Sequence, residues 1–194
     1  MEDKEILTEV TKYLDYLETP SDNFSGMAVC PFLKKERTTE ALMLKIWRPN
    51  EQSFFSVLDE FVESDKSSAL LVCMDSDGLM WEEVNRKKYQ IAIQLAMKEK
   101  GYKKHKALCF SPHEDYSAAG EQTRKKSPYF LINIAEKDAL DEAHRSLWKT
   151  KYFDNFTEEE QKRLKVFPKK KKVLHLILMK EPFDKILNGT KTIE

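Results

Sequence analysis

The sequence predicts an α/β fold, a mixed and partly parallel sheet flanked by helices, on three observations. Short apolar runs rich in β-branched and aromatic residues recur at 41–47, 69–74, 106–110 and 129–134, each bounded by turn residues. Segments with helical apolar spacing separate the first three runs, and strands alternating with helices imply parallel pairing through right-handed crossovers. The last two runs are joined instead by a long polar loop from Ser111 to Pro128, which makes the fourth strand antiparallel to the third. A connection well beyond the usual length of about 4–6 residues marks a place for a site.

Each element has its own signal. Ile6, Leu7, Val10, Leu14 and Leu17 give an amphipathic helix over 3–18, stopped by Pro20. The small apolar island Met27 to Phe32 follows, in which Pro31 restricts the backbone of Cys30 and points its thiol in a defined direction. A helix over 51–63 is expected after an Asn50 cap, carrying Phe54, Phe55, Leu58, Phe61 and Val62 inward. A longer helix over 79–100 is expected between an Asp77 cap and Gly101, with Met80, Val84, Ile91 and Leu95 as its buried stripe. Helix 138–149 completes a domain spanning 1–150. Residues 151–172 read as a charged linker, in which Thr157 and Glu160 form a capping box. Residues 173–194 add one strand and one helix, with Pro182 at its start and Gly189 at its end.

Lys+Arg and Asp+Glu both number 33, so no overall field attracts a polyanion, and contact with nucleic acid requires a local patch such as Lys169–Lys172. No apolar run approaches the roughly 20 residues of a membrane span, and the acidic start lacks the features of a signal peptide. A soluble, cytoplasmic protein without a membrane partner is expected. Cys30, Cys73 and Cys109 form no disulfide framework; the last two sit inside strands and are expected to be less accessible than Cys30.

Several residues are candidates for chemistry. In the predicted topology the loops after 69–74 and 106–110 leave the same sheet edge, bringing Asp75, Asp77, His113 and Asp115 together. Turn and N-cap chemistry explains Asp-Ser-Asp-Gly more simply than a metal does, so no metal site is assigned. Cys30 with His113 has the composition of a nucleophile and base, because a thiol needs a neighbouring imidazole or helix N-terminus to ionise readily. Arg124, Lys126, Ser127 and Tyr129, with Tyr116 earlier in the loop, supply cations, hydroxyls and rings suited to a phosphate or a base. Glycine-rich phosphate loops and paired-cysteine zinc motifs are missing, and no cofactor is expected.

The succession Val29-Cys30-Pro31-Phe32, Phe110-Ser111-Pro112-His113-Glu114-Asp115-Tyr116 and Lys126-Ser127-Pro128-Tyr129 resembles the bacterial family called domain of unknown function 1415 over about residues 1–150. That family carries Leu-Cys-Pro-Phe, Phe-His-Pro-x-Tyr and Arg-Ser-Pro-Tyr-Pro elements in the same order. Here Lys126 replaces the arginine, and His113 follows Pro112 instead of preceding it. The likeness singles out Cys30, His113, Tyr116, Ser127 and Tyr129 without giving them a reaction. Residues 173–194 resemble the opening strand and helix of an ASCH domain, a PUA-like β-barrel whose hallmark is Gly-x-Lys-x-x-Glu-x-Arg, matched by Gly189, Lys191 and Glu194. This resemblance implies RNA binding or processing of a modified nucleoside, with Lys191 as the catalytic lysine and Thr192 beside it. The segment stops before the motif arginine, so an incomplete ASCH-like unit, unable to fold alone, is expected. Three readings follow: an RNA- or nucleoside-related protein, a cysteine-dependent enzyme acting on a small metabolite through the N-terminal domain, or a non-catalytic interaction module.

Overall fold

Alternation of strand and helix is what the chain builds. The computed structural model describes residues 2–74, 81, 84–113, 116–118 and 121–164, without the side chains of 116–118, 121–124 and 163. The first helix, α1 (Asp3–Glu18), is followed by a two-stranded ribbon of β1 (Pro20–Ser21) and β2 (Met27–Ala28) around a 3-10 turn. Ser25 and Gly26 take φ of 56° and 78° there, the left-handed region that glycine enters without steric cost. A short helix α2 (Leu33–Thr38), which the sequence did not announce, then leads into β3 (Leu42–Trp47), α3 (Phe54–Glu63), β4 (Ser68–Cys73), α4 (Arg86–Glu99) and β5 (His105–Phe110). The loop after β5 contains a hairpin of β6 (Tyr116–Ala118) and β7 (Glu121–Arg124) before β8 (Phe130–Glu136), α5 (Lys137–Leu147) and α6 (Glu158–Leu164).

The main sheet has the order β3-β4-β8-β5. β3 and β4 are parallel, as predicted, and β8 is antiparallel to β5. However, β4 and β5 do not pair: β8 lies between them, antiparallel to both. Burial explains this choice. β4 and β8 are mainly apolar on both faces and take the centre, whereas β3 exposes part of Lys45 and β5 carries exposed Lys106, residues suited to an edge.

Two apolar layers cover the sheet. On one face Ala69, Leu71 and Cys73 of β4, Ala107 and Cys109 of β5, and Phe130, Ile132 and Ile134 of β8 meet Val57, Leu58 and Phe61 of α3 and Ile93 and Met97 of α4. The opposite face, with Leu70 and Leu131, is covered by α1, α2 and α5.

α4 departs from expectation in start and in orientation. It begins at Arg86, where the Asn85 side chain accepts from Lys88 N at 3.0 Å; Asp77 and Met80 lie outside the described residues. Ile91 and Leu95, expected inside, are more than half exposed. The reason is the free edge of β5. Gln90 Oε1 accepts from Cys109 N and Gln94 Oε1 from Ala107 N, both at 3.0 Å, while Gln94 Nε2 donates to His105 O at 3.2 Å. Four helical residues rise about 6 Å and two strand residues about 6.6 Å, so glutamines at i and i+4 match alternate edge amides. Satisfying that edge fixes the rotation of α4, which turns Ile93 and Met97 to the core and Ile91 and Leu95 outward.

Smaller differences have local causes. α3 is capped by Ser53, whose Oγ accepts from Ser56 N at 3.1 Å, rather than by Asn50. Thr157 and Glu160 do form the capping box of α6. Tyr152, Phe153 and Phe156, in the stretch read as linker, are buried with Phe24, so the first unit runs to Lys162. The second unit, Arg163–Glu194, lies almost wholly outside the described residues, and with it the ASCH-like segment.

Candidate functional site

Between the second face of the sheet and helices α1, α2 and α5 is a cavity of about 200 Å³. Its walls are mainly Leu14, Leu17, Leu33, Leu42, Leu70, Leu131 and Leu140. Polar groups interrupt this lining at a few points: Tyr13, Cys30, Glu36, Ser67, Ser68 and Asn133. A mostly apolar hollow with a few convergent polar groups is the usual form of a small-molecule site.

Local structure places each group. Cys30 N donates to Leu17 O at 2.8 Å, which ties the Cys-Pro segment to the end of α1, and Cys30 O accepts from Leu33 N at 3.2 Å. Pro31 therefore occupies the second position of a four-residue turn, where its fixed φ is favourable. That turn starts α2. Arg37 of α2 donates to Asp15 at 2.8 Å and to Glu18 at 2.7 Å, holding α2 against α1. The residue before Arg37, Glu36, accepts from Ser68 Oγ at 2.7 Å, so the helix is also joined to β4. Asn133 stands in the middle of β8, opposite Leu70 and Leu108, and its Oδ1 is buried without a hydrogen-bond partner among the described residues.

The predicted residues divide sharply. Cys30 lies in the cavity wall and is more accessible than Cys73 and Cys109, which are 2% and 1% exposed. Burial pushes the Cys109 thiol up to about 12, against the opposing field of Arg86, and raises Cys73 well above its ordinary value. His113 is exposed at the end of β5 and is not part of the cavity lining, so the cavity does not unite it with Cys30. Its backbone N–H donates to Ser111 Oγ at 3.1 Å. Asp75, Asp77 and Asp115 fall outside the described residues, although β4 and β5 do run in the same direction and end opposite Phe130 and Leu131, on either side of β8.

The loop residues proposed for phosphate or base binding dock on α1. The Tyr129 hydroxyl donates to Glu9, and burial followed by that carboxylate raises it to about 12. Lys125 N donates to Tyr16 Oη at 3.1 Å and its ammonium sits 4.9 Å from the Tyr16 ring centre. Ser127 is buried, with Oγ unpartnered among the described residues, and Lys126 is exposed. Tyr116 and Arg124 are in the β6-β7 hairpin, their side chains outside the description, and Lys191 and Thr192 lie wholly outside it.

Glu36, Ser68 and Asn133 escaped the sequence reading. Asn133 had a signal: it is the one polar residue within Tyr129-Phe130-Leu131-Ile132-Asn133-Ile134. Comparison of the chain with protein-family models, curated proteins and solved structures finds no match. Among the described residues no helix is long and apolar enough to cross a membrane.

Proposed function

We propose that the first unit binds a small metabolite in the cavity beneath α1, α2 and α5, with Cys30 as the reactive group in its wall. The observation that carries this reading is the convergence of Cys30, Glu36, Ser68 and Asn133 in one mainly apolar hollow. Its volume suits a ligand of about eight non-hydrogen atoms, since a cavity of about 150 Å³ takes benzene. Binding is tested by the rate of Cys30 alkylation by iodoacetamide, followed by mass spectrometry, with and without saturating benzyl alcohol. Protection of at least fivefold, with a rise in Tm, is expected. An unchanged rate together with an unchanged Tm removes the reading.

A second reading, contact with RNA, draws support from the basic surface around α4 and β5. Lys87, Lys88, Lys98, Lys100, Lys103, Lys104 and Lys106 are exposed, and Glu99 is the one acidic residue in 86–106. Such a cluster provides the phosphate contacts that dominate nucleic-acid affinity, with a slope of about −0.7 per contacted phosphate in log K against log salt for a single strand. Fluorescence anisotropy with a single-stranded RNA at 50 and 200 mM salt tests it. Binding unaffected by Lys103→Glu with Lys104→Glu would remove this surface from consideration. The nucleoside chemistry implied for Lys191 rests on the ASCH resemblance alone and is tested separately, by assaying Lys191→Ala on an acetylated cytidine.

A further inference from the structure

We infer that the cavity is a receptor for a small primary amine with an apolar tail, an inference that rests on the metabolite-binding reading of the same site. The Glu36-Ser68 pair gives one end of its lining an excess of acceptors. Glu36 contributes a carboxylate that takes one hydrogen bond from Ser68 Oγ and makes no ion pair among the described residues. Asn133 contributes an amide whose oxygen is buried with no donor among the described residues. Ser68 spends its hydroxyl proton on Glu36, which leaves its lone pairs available.

The sheet register brings these acceptors into reach of one another. Asn133 is directly opposite Leu70, and Ser68 is two residues before Leu70 on the same face of β4. Diagonal neighbours of an antiparallel pair are about 7–8 Å apart, so a single ligand head group can sit between Asn133 and the Glu36-Ser68 pair. An ammonium fits this arrangement because it carries three donors, no acceptor and the charge that Glu36 lacks a partner for. A carboxylate or phosphate would face a like charge at Glu36. An alcohol would satisfy one acceptor and leave the carboxylate unneutralised. The leucines around the head-group position, from Leu14 and Leu17 to Leu131 and Leu140, supply the surface for an alkyl or aryl tail.

The test is calorimetric titration of the full chain at pH 7 with two near-isosteric series, phenethylamine, 2-phenylethanol and 3-phenylpropanoate, then hexylamine, hexanol and hexanoate. In at least one series the amine is expected to bind tenfold or more tighter than the alcohol, with the carboxylate weakest. Glu36→Gln, which keeps an oxygen facing Ser68, should reduce that preference to twofold or less. Asn133→Leu should weaken the amine at least fivefold. Circular dichroism and Tm establish that both variants are folded. Equal binding of amine and alcohol, tighter carboxylate binding, or an amine preference that survives Glu36→Gln would overturn the amine assignment while leaving the cavity as a ligand site. Failure of every probe to bind or to protect Cys30 from iodoacetamide would overturn both.

Discussion

Replacing Asn133 by leucine is expected to stabilise the protein while impairing its site. Asn133 Oδ1 is buried in the central strand without a partner among the described residues, and an unsatisfied buried acceptor costs about 1–3 kcal/mol. Leucine removes that cost. It fills part of a cavity of about 200 Å³ lined by other leucines, so no cavity penalty offsets the gain. For a domain of this size 1 kcal/mol corresponds to roughly 2–4 °C, giving a rise in Tm of about 2–12 °C. Urea denaturation measures the free energy directly, and an unchanged m-value shows that the denatured state is not responsible. Asn133→Asp is the informative companion. It places a carboxylate among leucines near Glu36, so its folded-state pKa lies above the unfolded value and the variant loses stability as pH rises from 4 to 7. A leucine variant less stable than wild type by 1 kcal/mol or more would refute the reasoning, because it would show that the amide makes a bond on which the fold depends.

Three further outcomes are expected. Iodoacetamide at pH 8 should label Cys30 alone in the native protein, since a thiol near 12 is ionised at about one part in ten thousand at that pH; prior labelling of Cys73 or Cys109 would contradict the strand placements. Gln90→Ala with Gln94→Ala should lower stability by about 2 kcal/mol and promote concentration-dependent association through the uncovered edge of β5, seen by light scattering; unchanged behaviour would show that water replaces the glutamines without cost. Burial, and then the charge of Lys106, lowers the pKa of His144, so the unfolded state takes up a proton more readily and stability falls as pH decreases through about 6.5; His144→Gln should flatten that part of the pH–stability curve.

Much of the architecture was legible because it depends on periodicity. The 3.6-residue spacing of Ile6, Val10, Leu14 and Leu17 marks α1, and these side chains are buried. The continuous apolar run in β8 also contained the information that this strand is central, although pattern alone did not reveal that it separates β4 from β5. α4 was misread for a different reason: its orientation is set by two glutamines bonding to a strand edge, and no hydrophobicity template represents that contact. The site was legible only at Cys30. Glu36 sits within a charged run that looks solvated, and Ser68 looks like a strand end; both acquire meaning only when α2 is folded onto β4.

The insertion of β8 between β4 and β5 also constrains how the protein is made. During synthesis β4 and β5 leave the ribosome before the strand that must separate them, and neither can acquire its native neighbour on that side until residue 136 has emerged. Domains fold as units during synthesis, and exposed strand edges in the waiting chain are prone to mispairing. A direct β4-β5 pairing, the topology expected from simple alternation, would be a kinetic trap that β8 must enter by opening. The glutamines of α4 cover the opposite edge of β5, so the edge that β8 requires is the one left open to pairing. Ribosome-bound chains ending just short of β8 should therefore remain protease-sensitive, and resistance should appear abruptly once the whole strand is exposed.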